Sequence, residues 1–343
     1  MRRLSIWIDC FVILFAISGV LGALTAYDRA LASSFLSAIL ASVILYFITA
    51  HLIVTWRSAR RIGLALLTAA VFVALVFILQ YDYQNYAHTP NVITRVGRFT
   101  TRLPNLNIAL PHPNAVATFL EGLFPLGFML LVSRRRRRVQ LVGLILLMII
   151  FYALLLTFSR GAFIAVVIVM VIACGLRSPI FGIFLAVCVT IGAISFLSIE
   201  NLRHMNFIED ALYWASQRLI LYQNSLYVAS DYLFTGIGLG SGFAMVYSRY
   251  GLLIPVPFLT YTHNLVLAVW MGQGILGLIA LVGIVASLFI FIFQVMRFSA
   301  PRRLFFGAWL GVTAMLIHGL SDAREYVEIG WLLPTLFLLI GLT

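Results

Sequence analysis

Apolar residues run in blocks of about twenty along this chain, with neither the alternation of half-buried strands nor the spacing of amphipathic helices. Reading blocks against breaks predicts spans near 6–26, 31–55, 62–80, 114–132, 140–158, 162–176, 179–198, 265–295, 304–320 and 329–343. The fold class that follows is an all-α polytopic membrane protein with about ten transmembrane helices, forming a single integral-membrane domain over residues 1–343. The first block, after "MRR", is too long for the apolar region of a signal peptide and lacks a small-residue cleavage site, so it reads as a retained span. The longest polar interruption, 199–264, is too short and too apolar to fold comfortably alone.

Composition agrees, with 63% hydrophobic and 10% charged residues and a mean hydropathy of +1.07. Charge adds an orientation. All 23 basic residues are Arg, and fourteen fall in the N-terminus and every second loop, in "MRR", "WRSARR", "SRRRRR", "LRS" and "RFSAPRR". Nine arginines lie on the other side with nine of the eleven acidic residues, which puts the N-terminus in the cytoplasm. The net charge of +12 is thus a signal of topology and anionic lipid, and nucleic acid is not expected as a partner. Cys10, Cys174 and Cys188 fall in proposed spans and suggest neither a disulfide framework nor metal spacing.

The arginine-rich inner loops offer anchoring but neither acid nor nucleophile, so chemistry is sought on the outer side, which holds His88, His112, His204 and His263. Within 199–264, "IEDALYWASQRLILYQNSLYVASDYLF" has apolar residues near helical spacing and predicts one or two helices against the membrane surface. The following "GIGLGSGF" is a glycine turn: its backbone N–H groups suit a phosphate, and such clusters also simply reverse a chain. His263 and Asn264 open the next span; His263 is either an interfacial histidine with one wet nitrogen or a general base. Arg160, in "LLLTFSRGAFIAVV", is either a headgroup-level turn residue or a guanidinium aimed at lipid phosphate, with Gly161 permitting close approach. Arg218 is either a snorkelling residue or a second phosphate clamp. Arg203, Arg249 and Arg324 are weaker candidates of the same kind, and the intramembrane carboxyl of Glu121 needs a partner, for which Arg160 is a reasonable expectation.

The succession "LLLTFSRGAFIAVV", "QRLILYQNSLYVASDYLFTGIGLGSGF" and "THNLVLAVWMGQGILGLIALVGIV", preceded by "HPNAVATFLEGLFPL", resembles the O-antigen ligase and polymerase superfamily over roughly residues 110 to 300. The resemblance implies a GT-C-type helical bundle with a large helical periplasmic loop at 199–264, in the bacterial inner membrane, with its active site periplasmic. It implies a glycosyltransferase that uses undecaprenyl-diphosphate-linked glycan, with no cofactor and no metal. The acceptor is lipid A-core in the ligase branch and a second lipid-linked glycan in the polymerase branch. By motif, the resemblance implies that Arg160 and Arg218 serve the diphosphate and His263 the acceptor hydroxyl. Asn264, Gly238 and Gly240 would help bind substrate by positioning the loop. The chain departs from the family pattern in having ten rather than about twelve expected spans and in "LFTGIG", where a proline usually precedes the loop glycines. A lipid-linked glycan transporter is the competing class; the internal repeats that many transporters carry are not apparent.

Overall fold

The computed structural model of the chain describes residues 2–53, 55–82, 98–99, 112–132, 137–177, 207–240, 242–250, 261–298, 303–327 and 329–343. The expected span 179–198, Cys188, His88, Arg203, His204, Glu328 and the proline link 251–260 lie outside the described residues.

The described chain is helical: α1 (Arg2–Leu24), α2 (Arg29–Phe47), α3 (Trp56–Leu79), α4 (Pro113–Gly127), α5 (Arg137–Leu156), α6 (Arg160–Arg177), α7 (Phe207–Asp231), α8 (Gly242–Arg249), α9 (Leu265–Phe298), α10 (Arg303–Gly319), α11 (Arg324–Val327) and α12 (Leu332–Leu342). One two-residue antiparallel pairing, Tyr81–Asp82 with Arg98–Phe99, is the exception among the described residues. Two α-helices continue as π-turns, Ile48–Leu52 after α2 and Phe128–Val132 after α4.

Among the described residues six helices are long and apolar enough to cross a bilayer: α1 to α5 and α9, the second and fourth counted with their π-turns. Three shorter apolar helices, Arg160–Leu176, Arg303–Gly319 and Leu332–Leu342, stand where spans were also expected. The eleven residues of α12 rise only about 16 Å, against a hydrocarbon core of about 30 Å, so α12 is shorter than the span expected over 329–343. The expected 265–295 span is one helical run broken at Gly274, whose φ of 69° is outside the helical region.

Local chemistry sets the helix starts. Asp28 caps α2 by accepting from the Leu31 N–H, and Thr55 caps α3 by accepting from Ser58. At α4, Pro113 occupies the first turn while the His112 ring accepts the Asn114 N–H at 3.1 Å. Asn264 does the same for α9, its Oδ1 accepting from the Leu267 N–H at 3.1 Å.

The centre of the bundle is the α4–α10 pair: α4 is the most buried of the candidate spans, and α10 is buried along nearly its whole length. The crossing is close because a Cβ at Gly311 would overlap the Gly122 carbonyl. Around this pair, α6 and α12 pack on α10, α3 and α5 pack with α4, and α1 bridges α2 and α9. The end of α1 and the turn after it come against the glycine turn that follows α7, where the Leu239 N–H donates to the Gly22 carbonyl at 3.0 Å and Gly238 packs on Ala26.

Candidate functional site

The break between α5 and α6, "TFSRG", begins with Phe158 in the left-handed region at φ 52°, a conformation that costs a non-glycine residue about 1–3 kcal/mol. Ser159 is buried there and the next residue, Arg160, is exposed as the first residue of α6. Gly161 is required by its surroundings: a Cβ would stand 2.5 Å from His318 Cδ2 and 2.8 Å from Ser321 Oγ. The close approach expected at Gly161 is thus made by α10, and the residue it admits is a histidine.

His318, on α10, joins its own helix to α4 and to the α5–α6 break. Its Nδ1 lies 2.9 Å from Glu121 Oε1 and 3.2 Å from Thr118 Oγ1, both on α4, and its Nε2 lies 3.3 Å from Ser159 Oγ. The partner of the buried Glu121 is therefore His318 and not the expected Arg160. Asn114 and Asp322 are tied above this pair, with Asn114 Nδ2 donating to Asp322 Oδ2 at 2.8 Å.

His263 comes to the same place from α7's far side of the loop. Its backbone is the other non-glycine site at positive φ, 50°. The Tyr222 hydroxyl of α7 donates toward the His263 carbonyl at 3.0 Å and the Leu320 carbonyl at 3.2 Å, and Asn264 Nδ2 also donates to Leu320 at 3.0 Å. These bonds tie the start of α9 to the end of α10 and turn the His263 ring toward Asp322, with Nδ1 3.5 Å from Oδ1. That distance is an ion-pair contact longer than a good hydrogen bond, and neither atom has a hydrogen-bond partner. Arg324 Nε donates to the other Asp322 oxygen at 3.2 Å, and the Arg324 guanidinium lies 5.1 Å from the centre of the Tyr261 ring, which also packs on His263 at 4.0 Å.

Burial alone would raise the Asp322 carboxyl, but the His263 and Asn114 contacts and the Arg324 charge outweigh it and hold Asp322 well below the usual carboxylate range. Asp322 is therefore an anion at neutral pH, facing the His263 ring across 3.5 Å. Three residues on, Glu325 is pushed up to about 8 by burial, against the pull of His318. Burial likewise raises the Tyr222 hydroxyl, against the Arg218 guanidinium nearby.

A cleft of about 650 Å³ opens over this assembly, lined by Ser159, Arg160 and Gly161 on one side, Arg218 and Tyr222 on another, and His318, Ser321 and Asp322 beneath. Arg160 and Arg218, fifty-eight positions apart in the chain, thus line one space with His318 and Asp322, and His263 lies behind Asp322, 3.5 Å from its Oδ1. Gly238 and Gly240 do not join them. They line a separate cavity of about 280 Å³ together with Tyr261, Thr262 and Arg324. In that turn Gly236, Gly238 and Gly240 all have positive φ, while the intervening Ile237 and Leu239 N–H groups donate to Met271 and Gly22, so those two donors hold the turn in place.

Asp322, His318, Glu325 and Tyr222 were not among the residues singled out from sequence. His318 and Glu325 belong to rare residue types in this chain, with six histidines and eleven acidic residues, but α10 ends at Gly319, so no helical spacing joins them to Asp322.

A bundle of apolar helices defines a polytopic membrane protein, here with a cleft lined by two arginines and a histidine. Residues 145–282 match the family described as O-antigen ligase, which supports the O-antigen ligase superfamily for this chain, a group of ligase- and polymerase-type glycosyltransferases. The matched stretch holds Arg160, Arg218, Gly238, Gly240, His263 and Asn264, and it stops short of His318, Asp322 and Glu325. No curated protein matches the chain.

Proposed function

We propose that this chain is an O-antigen ligase-like glycosyltransferase. It moves a glycan from undecaprenyl diphosphate to a hydroxyl of lipid A-core at the periplasmic face of the bacterial inner membrane, with inversion and without a metal ion. The observation that carries the reading is the convergence of Arg160 and Arg218 on one cleft beside the His263–Asp322 pair.

The chemistry follows from charge. The anomeric C–O bond to the diphosphate breaks as an acceptor hydroxyl oxygen bonds to the same carbon. The electron pair of the broken bond stays on the diphosphate, and Arg160 and Arg218 stabilise that growing negative charge. With Nδ1 facing Asp322, the free Nε2 of His263 takes the hydroxyl proton, and the Asp322 anion stabilises the imidazolium that forms. Asn264 holds the base in place through the Leu320 carbonyl. The products are the glycosylated acceptor and undecaprenyl diphosphate.

The test is purified protein given lipid-linked glycan with either lipid A-core or a second lipid-linked repeat. Transfer of one glycan to lipid A-core is the expected product; a ladder of lengths on the lipid carrier would make the chain a polymerase instead. If Arg160→Ala and His263→Ala proteins transfer at the wild-type rate, the assignment of roles falls. EDTA should leave the rate unchanged, and a loss that Mg²⁺ restores would overturn the arginine-for-metal argument.

A further inference from the structure

The glycine-turn cavity is unused by the donor chemistry above, and we propose that it receives the terminal sugar of the acceptor glycan. This rests on the glycosyl-transfer reading. The cavity shares no lining residue with the arginine cleft, yet the two meet at one partition: Asp322 lines the cleft, Arg324 lines the cavity, and the two side chains bond at 3.2 Å. His263 stands in that partition, next in sequence to the cavity residue Thr262 and facing the cleft residue Asp322.

Displacement with inversion requires the attacking oxygen and the leaving oxygen on opposite sides of the anomeric carbon. A diphosphate held by Arg160 and Arg218 fixes the leaving side in the cleft. The hydroxyl must then arrive from beyond His263, where the second cavity lies.

Its walls suit a sugar. Phe35, Phe243 and Tyr326 supply aromatic surface for the C–H face of a pyranose, and Arg324 and Thr262 supply polar groups for its hydroxyls. The Tyr261 ring lines the cavity as well and, with the Arg324 guanidinium 5.1 Å from its centre, joins the aromatic and cationic parts of the wall. At about 280 Å³ the space falls just under the roughly 300–1,000 Å³ of sites for drug-sized ligands, which fits one ring and not a chain. The walls are also fixed before any ligand arrives, since the glycine turn is bonded to α1 and α9 through the Leu239 and Ile237 N–H groups.

Two substitutions fill the cavity from different walls: Val327→Trp from α11 and Phe35→Trp from α2. Each full-length protein, in nanodiscs, is assayed for transfer from a lipid-linked glycan at saturating donor, with lipid A-core or a second lipid-linked repeat as acceptor. Binding of undecaprenyl diphosphate is measured alongside and reports a folded donor site. Both variants should raise the acceptor KM about tenfold or more while leaving undecaprenyl diphosphate affinity within about twofold. The acceptor whose KM moves identifies the source of the sugar. If neither variant moves the KM for either acceptor, or if donor affinity falls as far as acceptor KM rises, the cavity is not the acceptor site. Failure of the wild-type protein to transfer glycan to either acceptor would instead overturn the glycosyl-transfer reading, and this proposal with it.

Discussion

Among the described residues two Asp–His contacts occur, one at each end of the helices, and they differ instructively. At one end Asp9 of α1 accepts from the Tyr46 hydroxyl at 2.7 Å and lies 3.0 Å from His51 Nε2, on the π-turn after α2. At the other, Asp322 and His263 are 3.5 Å apart. By distance alone the first is the better pair. Yet His51 is 47% exposed and its flanking ring is Phe47, whereas Asp322 is 2% exposed and bound to an arginine and an asparagine beside a cleft with two further arginines. Only the second also has its histidine in the left-handed backbone region, where the surrounding structure must hold it. A histidine and a carboxylate make a proton-transfer site only when a charged substrate has a place to sit beside them.

The comparison is broken most directly by removing the base. His263→Ala should lower turnover by about 10²–10⁴, the usual range for one general base, in a single-turnover glycan transfer assay. Arg160→Ala and Arg218→Ala should each lower it by about 10²–10³, and if both act on one diphosphate, as proposed, the double variant should lose less than the product of the two. Asp322→Asn keeps the size of the side chain and discards its charge. It should lower turnover by at least about tenfold without weakening undecaprenyl diphosphate binding, a split that a collapsed site would not give.

How far this site was legible in sequence follows from how each residue acts. Arg160 stood out because a guanidinium interrupts two apolar runs, and His263 because it opens one; both signals are local. Nothing local marks Asp322, since its role depends on α4, α9 and α10 ending at the same height, a product of the close glycine crossings. Glu121 was conspicuous as a carboxyl inside a span, but its partner was misjudged because His318 lies 197 positions away on α10 and only the packing of α4 on α10 brings the two together. The glycine turn was legible as a turn. Its destination was not, because that is fixed by contacts with α1 and the break in α9. The run of helices was read directly from hydropathy, while the kink at Gly274 depends on packing that periodicity does not record.

A smaller effect separates the two ends by pH. Glu325 is raised from 4.5 to about 8 in the fold by burial, so its protonated form is favoured there. Its contribution to stability is full below the unfolded value and is lost as pH rises through about 8. Thermal unfolding in detergent should therefore show the wild-type protein losing stability between pH 5 and pH 8.5, with Glu325→Gln losing less. An equal loss in both proteins would mean that another group carries the pH dependence.

The smallest effect belongs to the first pair. Asp9→Asn removes the charge facing His51 but leaves an oxygen to accept from Tyr46, so stability should change by no more than about 1 kcal/mol. Glycan transfer should stay within about twofold of wild type, because this pair sits at the far end of the α1–α2 hairpin from the turn that packs on Gly238 and Leu239. A large loss of transfer with stability intact would show that the two ends are coupled through that hairpin. The contrast drawn from their surroundings would then fail, since Asp9 and His51 would be acting on the site without touching it.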